Sequence, residues 1–163
     1  MTYKNHPAFK LRKWISSELI ESEVIYAESY NGIDPVIPVQ DIDELAEKLG
    51  SLPYMFYYSI PMPKANRQQV YKKEELLYIN VIANNYAELA GMVSFLIDLL
   101  DRQDFAAEDA NKRVEDGSVR FLTISLEKSG EVYQTTQPTG RFIQEVCFCY
   151  EYVREIKPNG RML

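Results

Sequence analysis

The chain has 163 residues, 46% of them hydrophobic and 26% charged, with a formal net charge of −6. That length supports one domain with a real core, and the balance of apolar and charged residues is that of a soluble globular protein rather than a disordered chain. The acidic total argues against tight binding of duplex DNA, which calls for a basic face.

The most apolar stretch lies within 89–100 and is interrupted by Gly91, Ser94 and Asp98. It is too short and too polar to span a bilayer. The opening "MTYKNHPAFKLRKW" has no apolar signal core, so a soluble protein, made and used in a cytosol, is expected.

In chain order, "NHPAFKLRKWISSELIES" predicts a first helix, with Pro7 at its first position and Asn5 or His6 as cap. Ala8, Leu11, Ile15 and Leu19 fall on one stripe with Trp14 beside it. Asn31-Gly32 permits a tight turn, and Pro35 and Pro38 hold the following chain extended. "DIDELAEKLG" predicts a short helix. Asp41 and Glu44 have the spacing of an acidic capping box, and Gly50 ends the helix.

"PYMFYYSIP" alternates as Tyr54, Phe56, Tyr58 and Ile60 against Met55, Tyr57 and Ser59, the pattern of a strand with two useful faces. "MPKANRQQVYKKEE" reads as a polar hairpin link to the strand "ELLYINVIA", whose Leu77, Ile79 and Val81 share a face. A helix over 86–101 follows. Asn85 is its cap with Glu88 at the reciprocal third position, and Leu89, Val93, Leu96, Ile97 and Leu100 form its apolar stripe. Gly91 lies off that stripe, where it would permit close approach by a neighbour.

This strand–turn–helix unit has the layout that often holds a phosphate at a helix N-terminus. Its turn, Asn84-Asn85-Tyr86, contains no glycine, and no dinucleotide fingerprint or P-loop occurs anywhere in the chain. The helix is therefore expected to pack flat on a sheet.

"DRQDFAAEDANKRVEDGS" reads as a polar connection with room for one short helical turn, and its acidic residues do not match calcium-loop spacing. Strand alternation then returns in Val119, Phe121 and Thr123. It returns again after Gly140, with Val146, Phe148, Tyr150 and Tyr152 on one face and Glu145, Cys147, Cys149 and Glu151 on the other. The link from Glu127 to Gly140, rich in Thr, Gln, Gly and Pro, reads as a long loop. Its part from Lys128 is expected to be mobile in the free protein and to contact a neighbouring chain. Residues 156–163 read as a loose tail.

Chemistry is sparse. The two cysteines sit at i and i+2, which is neither a redox nor a zinc spacing, and both are expected to be small reduced core residues. The one histidine, His6, has no identifiable nucleophile partner. No catalytic, cofactor-binding or metal-ligating residues are assigned. Twelve tyrosines, clustered in strands, need an account beyond core packing, because Tyr favours interfaces where one end is apolar and the other polar. The candidate interface residues are Tyr54, Tyr57 and Tyr58 in a strand, and Lys128, Glu131, Gln134, Gln137 and Arg141 in the long loop or beside it.

The expected fold is α+β: a mainly antiparallel sheet of about four strands, flanked by an N-terminal helix and one long central helix, in one domain spanning 1–163. The order of elements, with "PVIPVQD", "LPYMFYYSIP", "LLYINVIANNYAELAGMVSFLIDLLDR" and "GRFIQEVCFCYEYVRE", resembles the tail terminator, or tail completion, and neck proteins of tailed bacteriophages over about residues 8–155. The resemblance implies a virion protein that forms a ring, usually a hexamer, capping the tail tube and meeting the neck under the head. In contractile tails the ring would also touch the last sheath layer. It implies no cofactor, no membrane, and DNA passing through without specific binding, which suits the acidic balance. A neck connector or sheath-stabilising protein of the same particle, and a small cytosolic enzyme, are the alternatives.

Overall fold

The computed structural model describes residues 6–62, 72–113, 118–135 and 140–154. Helix α1, Pro7–Glu21, starts as its sequence predicts. Proline occupies the first turn, and the His6 ring accepts a hydrogen bond at Nδ1 from the Ala8 N–H at 3.1 Å. The helix buries Ala8, Leu11, Trp14, Ile15 and Leu19, the predicted stripe.

A 3-10 turn at Ala27–Tyr30 and left-handed Asn31 lead into β1, Val36–Pro38. Helix α2, Ile42–Leu49, ends at Gly50, whose φ of +59° suits glycine. Its expected capping box is absent, since the Asp41 side chain makes no cap hydrogen bond. Asp41 is the last residue of a 3-10 turn, Val39–Asp41, rather than part of an extended stretch, and does not have the backbone conformation that aims a cap.

Strand β2, Tyr54–Pro61, pairs antiparallel with β3, Lys72–Ala83. Most of the predicted polar link between them lies outside the described residues. Helix α3, Tyr86–Leu100, is capped by Asn85, whose Oδ1 accepts from the Glu88 N–H at 2.8 Å. Glu88 reaches back one residue further than expected, to the Asn84 N–H at 3.0 Å. Helix α4, Asp104–Arg113, is three turns long, where the sequence reading allowed one. Its buried Ala106, Ala107 and Ala110 are too small to mark an apolar stripe by hydropathy, yet they bring the helix close onto the sheet. Strands β4, Val119–Gln134, and β5, Phe142–Arg154, complete the fold.

The class is α+β, with a sheet of five strands in the order β1-β2-β3-β5-β4. The sheet is mixed rather than purely antiparallel, because the short β1 runs parallel to β2. An N-terminal helix and one long central helix are also an incomplete description: α2 and α4 stand beside α1 and α3, which are each 15 residues long. Leu89, Met92, Val93, Leu96 and Leu100 of α3 share one core with Leu77, Ile79 and Val81 of β3 and with Val146, Phe148 and Tyr150 of β5. Trp14, Leu11 and Ile15 of α1 and the alanines of α4 belong to the same core.

Gly91 serves no close approach. It is exposed, and a Cβ added there would meet nothing within 4 Å. Gly91→Ala is therefore expected to stabilise the protein by about 1 kcal/mol, the helix-propensity difference, visible as a higher melting temperature.

The largest difference from the sequence reading is the supposed loop. Residues Lys128–Gln134 are the second half of β4 and pair with β5 up to Gln134 opposite Phe142. Three register shifts along β4, between Phe121 and Thr123, Leu126 and Lys128, and Ser129 and Val132, break the alternation by which a strand is recognised. Past the last strand pair, the Thr135 N–H donates to the Arg141 carbonyl at 2.8 Å and Gln134 Nε2 donates to the Gly140 carbonyl at 2.8 Å. Gln137 and the predicted tail at 156–163 lie outside the described residues.

Candidate functional site

Strand alternation places one face of the sheet under α1, α3 and α4 and leaves the other, over β2, β3 and β5, uncovered by any described helix. The register lines up the uncovered side chains in rows across the strands. Tyr54, Ile82, Ile143 and Tyr133 form one row; Phe56, Asn80 and Glu145 the next; Tyr58, Tyr78, Cys147 and Lys128 the third; and Ile60, Leu76, Cys149 and Ser125 the fourth. Aromatic, aliphatic and thiol groups dominate this surface, with polar groups at its centre and along its edges.

The centre is well ordered by its own contacts. The rings of Tyr58 and Tyr78 stack with centroids 4.9 Å apart and planes 12° from parallel. Glu145 Oε2 accepts two hydrogen bonds, from Tyr58 Oη at 3.1 Å and from Asn80 Nδ2 at 2.9 Å. Asn80 is itself buried. Burial, followed by the hydrogen bond to Glu145, pushes the Tyr58 phenol up to about 12, so it donates and stays neutral through the physiological range. The neighbouring thiols are also held protonated. Burial raises Cys147, and burial with the nearby Glu74 charge takes Cys149 up to about 11.

Beside Glu145 lies a pocket of about 320 Å³ lined by Leu76, Tyr78, Glu127, Lys128, Gly130 and Cys147. It sits at the Leu126/Lys128 bulge. Gly130 is required there by close approach, since an added Cβ would stand 2.9 Å from the Glu145 carbonyl oxygen.

The edge of the sheet is closed next to this face for half its length. Along β4, the Phe121 N–H donates to Asn111 Oδ1, the Ile124 N–H to the Gln103 carbonyl, and the Leu126 N–H to Asp101 Oδ1. These three contacts come from the α3–α4 connection and α4, and they block strand addition as far as Leu126. Beyond Leu126 the strand carries exposed Glu131, Val132 and Tyr133.

The predicted interface residues divide accordingly. Tyr54 and Tyr58 lie on the uncovered face, and Lys128 at its border. Tyr57 does not belong with them: it points to the opposite face, pairs in register with Ile79, and is buried in the core. Glu131 is exposed on the β4 edge, and the Gln134 side chain is engaged by the Gly140 carbonyl. Arg141 is not a free interface residue either. Its guanidinium donates to the carbonyls of Gly50, Ser51 and Leu52 and lies over the Tyr54 ring, so it ties the end of α2 to β5. The cysteines share a face as expected but sit on the uncovered side, Cys147 buried and Cys149 half-buried, rather than in the core beneath the helices. Phe56, Tyr78, Asn80 and Glu145 were not singled out from sequence. Their signal was phase, since each falls on the strand positions opposite the apolar Leu77-Ile79-Val81 set or its partners.

A second polar group lies under α1. Glu75 is buried, accepts from Tyr150 Oη at 2.7 Å, and stands 3.4 Å from His6 Nε2. A cleft of about 250 Å³ beside it is lined by His6, Phe9, Tyr57 and Ser59. The serine, histidine and carboxylate do not make a hydrolytic set. His6 Nδ1 is occupied as the α1 cap and its Nε2 faces Glu75, which leaves no ring nitrogen to take a proton from Ser59. Among the described residues no group of three or more His, Cys, Asp or Glu side chains is placed to hold a metal, and no helix is long and apolar enough to cross a membrane.

No family model matches the chain, and no curated protein matches it. Among solved structures, one of an uncharacterised protein is similar with a TM-score of 0.44 at 12% identity, covering 94% of this chain and 99% of that one. The type 4 fimbrial biogenesis protein PilO from Pseudomonas aeruginosa is similar with a TM-score of 0.34 at 15% identity, covering 89% of this chain and 99% of that one. At these scores the likeness bears on neither architecture nor function.

Proposed function

We propose that this protein is a structural subunit that works by protein–protein contact, as a tail terminator of a tailed bacteriophage: a ring, usually a hexamer, capping the tail tube and joining it to the neck and head. The observation that carries the binding role is the uncovered sheet face, where Tyr54, Phe56, Tyr58, Ile60, Leu76 and Tyr78 present apolar surface on a rigid support. The order of elements along the chain supports the choice of particle. Identical subunits joined head-to-tail close into a ring when the rotation between them permits. The tube can template that ring, because each weak contact adds to the others once several subunits are aligned. The reading involves no chemistry and no cofactor, and the acidic balance suits a conduit through which DNA passes.

The test is a particle lacking this protein. Electron microscopy is expected to show heads without attached tails, or tails of irregular length, and infectious titre is expected to fall by orders of magnitude. Heads joined to tails of normal length would sink the proposal. Localisation of the subunit in the intact particle separates a terminator on the tube from a connector nearer the head.

A further inference from the structure

We propose that the pocket beside Glu145 is a socket for an arginine side chain presented by a partner protein that docks on the uncovered sheet face. The inference deepens the protein–protein reading above by naming the chemistry of the contact, and it rests on that face being a binding surface.

The socket has three parts. The first is an oriented carboxylate. Tyr58 and Asn80 both donate to Glu145 Oε2, which fixes the group, while Oε1 carries no hydrogen bond among the described residues. The second is an aromatic wall, Tyr78, braced from behind by its stacking on Tyr58. The third is the room, about 320 Å³, opened by the β4 bulge and by the lack of a side chain at Gly130.

A guanidinium fits this set better than any other common group. Its plane can lie against the Tyr78 ring while an N–H donates to Oε1, and its apolar stem can run over Leu76 and Cys147. A lysine ammonium would keep the charge but lose the planar stacking. The charges agree: Glu127, Glu145 and Lys128 all line the pocket, a formal excess of one negative charge, and Lys128 itself is exposed. An acidic partner group would meet the Glu145 carboxylate and is disfavoured. Neutral apolar residues around the arginine would complete the contact against Phe56, Ile60 and Leu76.

The experiment titrates the full chain with N-acetyl-arginine methylamide and, in parallel, with the uncharged isostere N-acetyl-citrulline methylamide, following backbone and side-chain amide NMR signals. Saturable shifts are expected at Tyr78, Asn80, Glu145 and Gly130 with the arginine compound, in the millimolar range. Citrulline is expected to bind at least several-fold more weakly. Glu145→Gln, which keeps the size and an acceptor for Tyr58 and Asn80, is expected to remove that difference between the two compounds. Tyr78→Leu, which keeps the surface apolar, is expected to weaken arginine binding while leaving its preference over citrulline. A melting curve for each variant reads folding separately.

Arginine and citrulline acting alike on the native chain, shifts that do not saturate, or an undiminished arginine preference in Glu145→Gln would each overturn the proposal. The measurement uses the isolated protein and a small probe, so its failure would leave the ring reading to be judged on the particle lacking the protein.

Discussion

Val93→Asp is expected to unfold the protein or to lower its stability by about 3–5 kcal/mol, the cost of leaving a buried charge without a partner. Val93 lies in the middle of α3 and is buried in the core shared with Leu77, Ile79, Val146 and Phe148. An aspartate there would lose the apolar contacts of the valine and would either be taken out of water charged or be protonated at a further cost. A total stability of about 5–15 kcal/mol is ordinary for a domain of this size, so the loss is a large part of the whole. Ser94, the next residue, is exposed, and Ser94→Asp changes the same helix by the same charge without burying it. That control is expected to melt within a few degrees of the native protein. Thermal unfolding followed by circular dichroism decides the matter: a Val93→Asp melting curve superimposable on that of Ser94→Asp would mean that this stripe is not core.

Much of the fold was legible because burial leaves a period in the sequence. The stripes of α1 and α3 and the alternation of β3 and β5 are each the trace of one side facing a shared core. What was not legible had its period broken or hidden. The second half of β4 carries Lys128, Ser129, Gly130, Glu131 and Gln134, which read as loop chemistry, and its bulges shift the phase of the residues that remain. Its strand conformation comes from pairing with β5, from Lys128 opposite Cys147 to Gln134 opposite Phe142, a cross-strand contact that composition does not carry. β1 is three residues long and contains a proline, too short for any pattern. The alanine face of α4 escaped for the opposite reason, since its side chains are buried but contribute little hydropathy.

The site divides in the same way. Tyr54 and Tyr58 could be placed on one face by alternation, and Tyr57 belonged to the other face on that same pattern, as the structure bears out. Arg141 reads from sequence as a candidate interface residue beside the long link, whereas its role depends on three carbonyls that follow α2, some ninety positions earlier in the chain. The Glu145 cluster is an assembly of β2, β3 and β5 and has no local signature. Glu74 and Glu75, adjacent and alike in sequence, differ because Glu75 is in phase with Leu77 and Ile79 and so faces inward.

Glu75 is also where the largest pH effect is expected. Burial alone would raise its carboxyl pKa, but hydrogen bonds from His6 and Tyr150 outweigh that effect and hold it below the ordinary 4.5. A carboxyl depressed in the folded state contributes stability that is fully present above its unfolded pKa and is lost as the pH falls through its folded pKa. Glu75→Gln keeps the shape and removes the charge, so the stability gap between native protein and variant is expected to be widest near neutrality and to close below pH 4.5. Glu75→Ala removes the acceptor as well. Tyr150 is fully buried and would be left with a hydroxyl facing no carboxylate, at a cost of about 2–3 kcal/mol at neutral pH. At the alkaline end the sign reverses. Burial first, and then the Glu75 charge, raise the Tyr150 phenol well above 10, so its contribution is complete below pH 10 and falls away as the pH rises beyond it. Removing the Glu75 charge relieves part of that shift, and the alkaline decline of Glu75→Ala is therefore expected to be shallower than that of the native chain. Denaturant unfolding of the three proteins across acid, neutral and alkaline buffers measures all three trends. A native-to-Gln gap that stays constant from neutrality into the acid range would show that the buried carboxylate is not held ionised by His6 and Tyr150.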